Sequence, residues 1–188
     1  MGNKIFIIGI TGGFGSGKSA ASSFFERRGF TKIILSSFLE EEARKRGFQK
    51  ITRKILQDIG NEWRKRYGVG ILAKKTLEYL GKKGIKKSVV DGIRNKGEVK
   101  EFKKIKNFIL IAIVSSKKNR FERLKNLKRR ERLTFELFKK IDRRDQGLGQ
   151  KDTGLQVAAC IKAADFIVKN NLDYKTFENK LNKFFKKI

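Results

Sequence analysis

Histidine and proline are absent from the 188 residues, and cysteine occurs once, at Cys160. Without histidine, a Ser-His-Asp triad and a His-ligated zinc are excluded, and with a single thiol so are a thiolate metal cluster and an internal disulfide. One unpaired cysteine is what a reducing cytoplasm tolerates, so the expected location is cytoplasmic. Long apolar runs are also missing: the longest, Phe108 to Val114, suits a buried strand and falls well short of a bilayer span. The chain enters a strand pattern directly from its N-terminus, without a basic, apolar and cleavage-site succession, so export is not expected. Acidic residues are scarce, 19 against 47 Lys and Arg, which leaves a formal charge of +28. The lysines are scattered and interleaved with glutamates, as in Glu98-Val99-Lys100-Glu101, the pattern of a basic surface. Such a field attracts polyanions and phosphorylated metabolites without selecting among them. We find no physical account of the missing proline.

What is present is one domain's worth of alternating elements. Hydrophobic residues make up 39% and charged residues 35%, enough for a core. Strands are predicted at Lys4–Ile10, Thr31–Leu35, Ser88–Ile93, Phe108–Val114 and Asp165–Lys169. Helices are predicted at Lys18–Arg28, from Phe38 with Ser36 and Ser37 as caps, through helical spacing up to Lys83, and at Arg53–Trp63 within that stretch. Further helices follow at Glu98–Lys106, Lys117–Arg130, Thr134–Asp142, Leu155–Ala164 and from Tyr174. The expected fold is therefore α/β, a three-layer parallel sheet of five strands with a helical insertion over 36–86.

Gly12-Gly13-Phe14-Gly15-Ser16-Gly17-Lys18-Ser19 satisfies G-x-x-x-x-G-K-[ST] at every required position. Placed between a buried strand and a helix, its backbone N–H groups and the helix N-terminus would converge on phosphate oxygens. Lys18 would reach the β- and γ-phosphates and the Ser19 hydroxyl would ligate Mg²⁺. Gly12, Gly13, Gly15, Ser16, Gly17, Lys18 and Ser19 are thus the expected ATP-binding residues. Asp91, at the carboxyl end of a predicted strand, is the candidate carboxylate, either holding Mg²⁺ or accepting the acceptor's proton. GTP reading is unsupported, because Asn95-Lys96-Gly97-Glu98 and Asn179-Lys180-Leu181-Asn182 both lack the aspartate of N-K-x-D.

The opening GITGGFGSGKS, the internal VVDGIRNKGEVKEF and the ending AADFIVKNNLDYKTFENKL resemble the nucleoside-monophosphate-kinase branch of P-loop proteins. The likeness is strongest to dephospho-CoA kinases and deoxynucleotide-kinase-like proteins. It implies an ATP- and Mg²⁺-dependent kinase acting on a small phosphorylated acceptor. Arg94 and Arg53 would grip the acceptor's phosphate, with Ser36 nearby at the end of the second strand. Arg120, Arg123, Arg143 and Arg144 would serve the nucleotide and acceptor from a lid-like segment over 129–156, which also carries Arg129, Arg130 and Arg132. Leu35-Ser36-Ser37 stands where dephospho-CoA kinases carry Asp-x-Asp, and their His-Pro pair has no counterpart. A (deoxy)nucleoside monophosphate is accordingly the first expected acceptor and dephospho-CoA the second. A nucleic-acid-associated P-loop ATPase, motivated by the charge, and a nucleotide-binding fold without catalysis are the rival classes.

Overall fold

The computed structural model describes residues 5–125 and 133–188. Its centre is a five-stranded sheet in the order β2-β3-β1-β4-β5, formed by β1 (Phe6–Thr11), β2 (Thr31–Ile34), β3 (Lys87–Asp91), β4 (Asn107–Val114) and β5 (Phe166–Lys169). All four pairings are parallel; β1 is central, with Ile10 level with Asp91 on one side and Ile111 on the other. Parallel strands need crossovers that cover both faces, and the central β1 and β4 read as nearly continuous apolar runs, whereas the edge strands β2 and β5 are largely exposed.

The period-2 alternation divides those runs between two cores. Ile8, Ile10, Val89, Ile111 and Ile113 face α1 (Lys18–Glu26) and α9 (Tyr174–Phe185), where Phe24, Phe25, Phe177 and Phe184 fill the layer. Ile7, Val90, Phe108 and Leu110 face the opposite layer. That layer holds α2 (Leu35–Lys45), α3 (Arg53–Tyr67), α4 (Ile71–Lys82), α5 (Lys96–Phe102) and α8 (Val157–Lys162). A smaller apolar cluster joins Phe14 to Leu124 of α6 (Lys117–Lys125) and Phe138 of α7 (Phe135–Gln146). Among the described residues no helix is long and apolar enough to cross a membrane.

Several element bounds differ from expectation: the helix expected at Glu98–Lys106 runs Lys96–Phe102 behind an Asn95 capping box, the strand expected at Ser88–Ile93 is Lys87–Asp91, and two more differences have a visible cause. The helix after β2 begins at Leu35, not Phe38, and Ile34 takes the cap position without a side-chain bond. Ser37 Oγ instead donates to the Ile34 carbonyl at 2.7 Å. Burying Leu35 and Leu39 one turn apart outweighs the preference of serine for a cap. The helix expected over Leu155–Ala164 is shorter, Val157–Lys162, because Gln156 N–H donates to the Arg94 carbonyl and holds the preceding residues in a loop. Of the segment after α6, Arg129, Arg130 and Arg132 lie outside the described residues.

Candidate phosphate-binding and acceptor site

The glycine-rich loop leaves β1 and ends in α1, and three of its glycines have backbone angles that side chains rarely adopt: Gly12 at φ 147°, Gly15 at 80° and Gly17 at 102°. A Cβ on Gly12 would lie 2.2 Å from the Ile113 carbonyl oxygen, and one on Gly17 would lie 2.3 Å from Asn170 Nδ2. That nitrogen donates to the Ser16 carbonyl at 2.9 Å, so a residue from the end of β5 braces the loop. Gly17 caps α1 without a side-chain bond, which leaves the N–H groups of the first turn available to an anion. Lys18 Nζ lies within the loop, donating to the carbonyls of Gly12 and Gly13 at 2.9 Å each. Burial, reinforced by the positive charge of Arg94, lowers its pKa to about 7. A buried ammonium with two carbonyl partners, at an uncapped helix N-terminus, fits a polyphosphate chemically.

Asp91 ends β3 beside this loop. It is buried, and Oδ2 accepts a hydrogen bond of 3.0 Å from Ser22 Oγ on α1, which fixes the carboxylate toward the helix that carries Ser19. Ser19 is exposed at the start of α1. One hydroxyl and one carboxylate, with phosphate oxygens and water completing the shell, match the way Mg²⁺ is commonly held. No group of three or more acidic, Cys or His ligands occurs among the described residues. Cys160 offers no nucleophile, since burial pushes its thiol up to about 12.

A cavity of about 740 Å³ opens against the loop. Lys18, Ser19, Asp91, Ser36, Arg53, Arg94 and Arg123 all line it. Ile34, Leu35, Leu39, Leu56, Leu72 and Leu155 add an apolar lining, half of it from the insertion. Ser36 Oγ also reaches Glu40 at 3.4 Å.

The arginines divide by what holds them. Arg94 has its backbone clamped: its N–H donates to Glu98 Oε2 at 2.9 Å and its carbonyl accepts from Gln156 N–H at 2.7 Å. Glu98 is in turn paired with buried Arg64 at 2.9 Å, and Asn95 Nδ2 donates to the carbonyls of Asp152 and Gly154. Arg53 stacks over the Phe14 ring at 4.4 Å and pairs with Asp145 of α7. Arg123 donates to Asn170 and to Ser115 Oγ behind the loop. Arg120 is buried under the loop rather than in the cavity, bidentate to Asp142 and donating to the Phe14 carbonyl at 3.1 Å. Arg144 reaches Asp58 at 3.5 Å and Arg143 is exposed; neither lines the cavity. Sequence reasoning missed Asp142, Asp145, Arg64 and Glu98. For the two aspartates the only signal was acids beside arginines in IDRRDQ, which does not reveal distant partners.

No protein-family profile matches the sequence. The fold is similar to that of a shikimate kinase from Bacteroides thetaiotaomicron, with a TM-score of 0.60, 14% identity, and 96% of this chain and 97% of that one covered. It is also similar to a dephospho-CoA kinase from Campylobacter jejuni, with a TM-score of 0.52, 18% identity and 96% of both chains covered. At these identities the likeness is one of fold, that of P-loop kinases. In sequence, the chain is 33% identical over 190 residues to UPF0200 protein PH1008 of Pyrococcus horikoshii, with 97% of both chains covered. It is 34% identical over 185 residues to a UPF0200 protein of Sulfurisphaera tokodaii, with 98% of both covered. Identity at that level along the whole length, loop and insertion included, means that the chain belongs to the UPF0200 family.

Proposed function

We propose that the protein is an ATP- and Mg²⁺-dependent kinase that transfers the γ-phosphoryl group to a small phosphorylated acceptor in the cytoplasm, with a (deoxy)nucleoside monophosphate as the first acceptor class. The observation that carries this reading is that the phosphate loop and two acceptor-side arginines, Arg53 and Arg94, line one cavity at the carboxyl edge of a parallel sheet. Hydrolysis alone leaves the arginine-bearing part of that cavity without a ligand to hold.

In this reading the loop N–H groups and Lys18 cradle the polyphosphate and balance the charge that spreads over the transferred group. Ser19 and Asp91 would hold Mg²⁺, whose chemistry is to neutralise the phosphate oxygens. Arg94, fixed through its own backbone, and Arg53 hold the acceptor's existing phosphate as planar forks. The apolar wall of Leu35, Leu39, Leu56 and Leu72 suits a flat base, excludes water and orients the nucleophilic oxygen toward the loop. Two stretches expected from sequence take their roles here: 36–86 as the acceptor-binding insertion, and 129–156 as the lid, to which Arg143 and Arg144 contribute from outside the cavity. Arg120 serves the nucleotide indirectly, through the loop carbonyl it holds.

A dephospho-CoA acceptor is the second reading, favoured by the same apolar wall, which also accepts a bulkier adenylyl group. The deciding experiment is ADP release coupled to a reporter, with MgATP and a panel of ribo- and deoxynucleoside monophosphates, dephospho-CoA and single-stranded DNA. One small acceptor that stimulates turnover establishes the kinase and names its substrate. Stimulation by DNA alone, falling steeply with salt, replaces the kinase with a nucleic-acid ATPase.

A further inference from the structure

Helix α7 presents two buried carboxylates one turn apart, Asp142 and Asp145, and each holds an arginine from a different part of the chain. Asp142 takes both terminal nitrogens of Arg120, at 2.5 and 2.9 Å, and Arg120 reaches on to the carbonyl of Phe14 in the phosphate loop. Asp145 takes Nη2 of Arg53, whose guanidinium lies over the Phe14 ring and lines the cavity on the insertion side. Phe138, from the same helix, stacks on Phe14 with ring centroids 6.4 Å apart. One helix therefore grips the nucleotide loop from below and an acceptor-side arginine from beside it, with Phe14 between them.

Asp145 has one further peculiarity. Its Oδ1 is buried and has no hydrogen-bond partner among the described residues, although only Oδ2 is engaged by Arg53. An unsatisfied carboxylate oxygen costs stability and calls for a reason. A guanidinium that turns to present its fork to a ligand while keeping its carboxylate would use that oxygen.

We propose that Asp145 is a positioning residue that aims Arg53 at the acceptor's phosphate, and that with Asp142 it makes α7 the element registering the acceptor against the nucleotide. The inference rests on the kinase reading above. Asp145 touches neither substrate in this scheme: it acts through Arg53, as Asp142 acts through Arg120. The negative charge of Asp145 also opposes the lowering of the Lys18 pKa, which places it within electrostatic reach of the transferring centre.

The test is steady-state kinetics on the intact protein with MgATP and whichever nucleoside monophosphate or dephospho-CoA the wild type phosphorylates fastest. Asp145→Asn keeps the shape of the side chain and removes its charge. We expect it to raise the acceptor KM about tenfold while the MgATP KM stays within about twofold. Asp142→Asn should do the reverse, and Arg53→Lys combined with Asp145→Asn should be far less than additive. A helix that is merely loosened would move both KM values together in both variants, and that result overturns the proposal while leaving the kinase intact. Should Asp145→Asn not fold, judged by its melting transition, Asp145→Glu replaces it and must show the same acceptor-sided split or the proposal fails. If the wild type phosphorylates no acceptor at all, the kinase reading falls and takes this inference with it.

Discussion

Two parts of the cavity lining are made by opposite means. The glycine-rich loop is built from eight consecutive residues, mostly main chain, with N–H directions that three positive-φ glycines set. The part proposed to hold the acceptor is built from side chains: Ser36 after β2, Arg53 at the start of α3, Leu72 in α4, Arg94 after β3 and Leu155 before α8. A main-chain site tolerates little change in backbone geometry but is indifferent to most surrounding chemistry. A side-chain site can be retuned one residue at a time. The contrast predicts where mutations hurt most.

The largest effect belongs to the loop's own lysine. Lys18→Ala should lower turnover by about 10³-fold with the fold intact, read as kcat against the melting transition; an equal fall in stability would mean the lysine is structural instead. Next comes the loop's geometry. Gly17→Ala must place a Cβ where Asn170 Nδ2 now lies and hold an unfavourable φ, at a cost of about 2–3 kcal/mol, seen by denaturant unfolding together with weaker nucleotide binding. On the acceptor side, Arg94→Ala should raise the acceptor KM about thirtyfold and leave nucleotide affinity within about threefold by calorimetry. A matching loss of nucleotide affinity would dissolve the distinction between the two sides.

The smallest effect sharpens the comparison through protons. The folded-state pKa of Lys18, about 7, lies below its ordinary value of 10.5, so the unfolded chain binds more protons between those values. Ligand-free protein should therefore gain stability as pH rises through that window, a slope that Lys18→Met removes. Binding a polyphosphate restores the charge, so nucleotide binding near pH 8.5 should take up about one proton, read from the dependence of the calorimetric heat on buffer ionisation.

Legibility in the sequence follows the same division. The loop could be read outright because its spacing is contiguous and its strand and helix flank it. The central strands were legible because β1 and β4 are apolar runs, and the parallel α/β sheet followed from the alternation of strands with helices. Pairings across distance were not. Asp145 meets Arg53 across 92 residues and Arg64 meets Glu98 across 34, and a chain with 47 basic residues offers every acid many candidate partners. Nor was the start of α2 legible, since capping chemistry is local and the burial of Leu35 is not. Arg120 and Arg143 carry the same charge on neighbouring helices, yet one is buried beneath the loop, where Asp142 and Phe138 meet it, and the other faces solvent.

The brace between Asn170 and Ser16 sets an order on synthesis. The loop is among the first parts of the chain to leave the ribosome, yet the amide that holds its carbonyl arrives 154 residues later. The phenylalanines of α9 that back α1, Phe184 against Phe25 and Phe185 against Phe24, come later still. A nascent chain carrying the complete glycine-rich motif thus lacks both the brace and the packing behind it. The loop's brace and the backing of its helix are thus complete only once residues 166–185 have emerged.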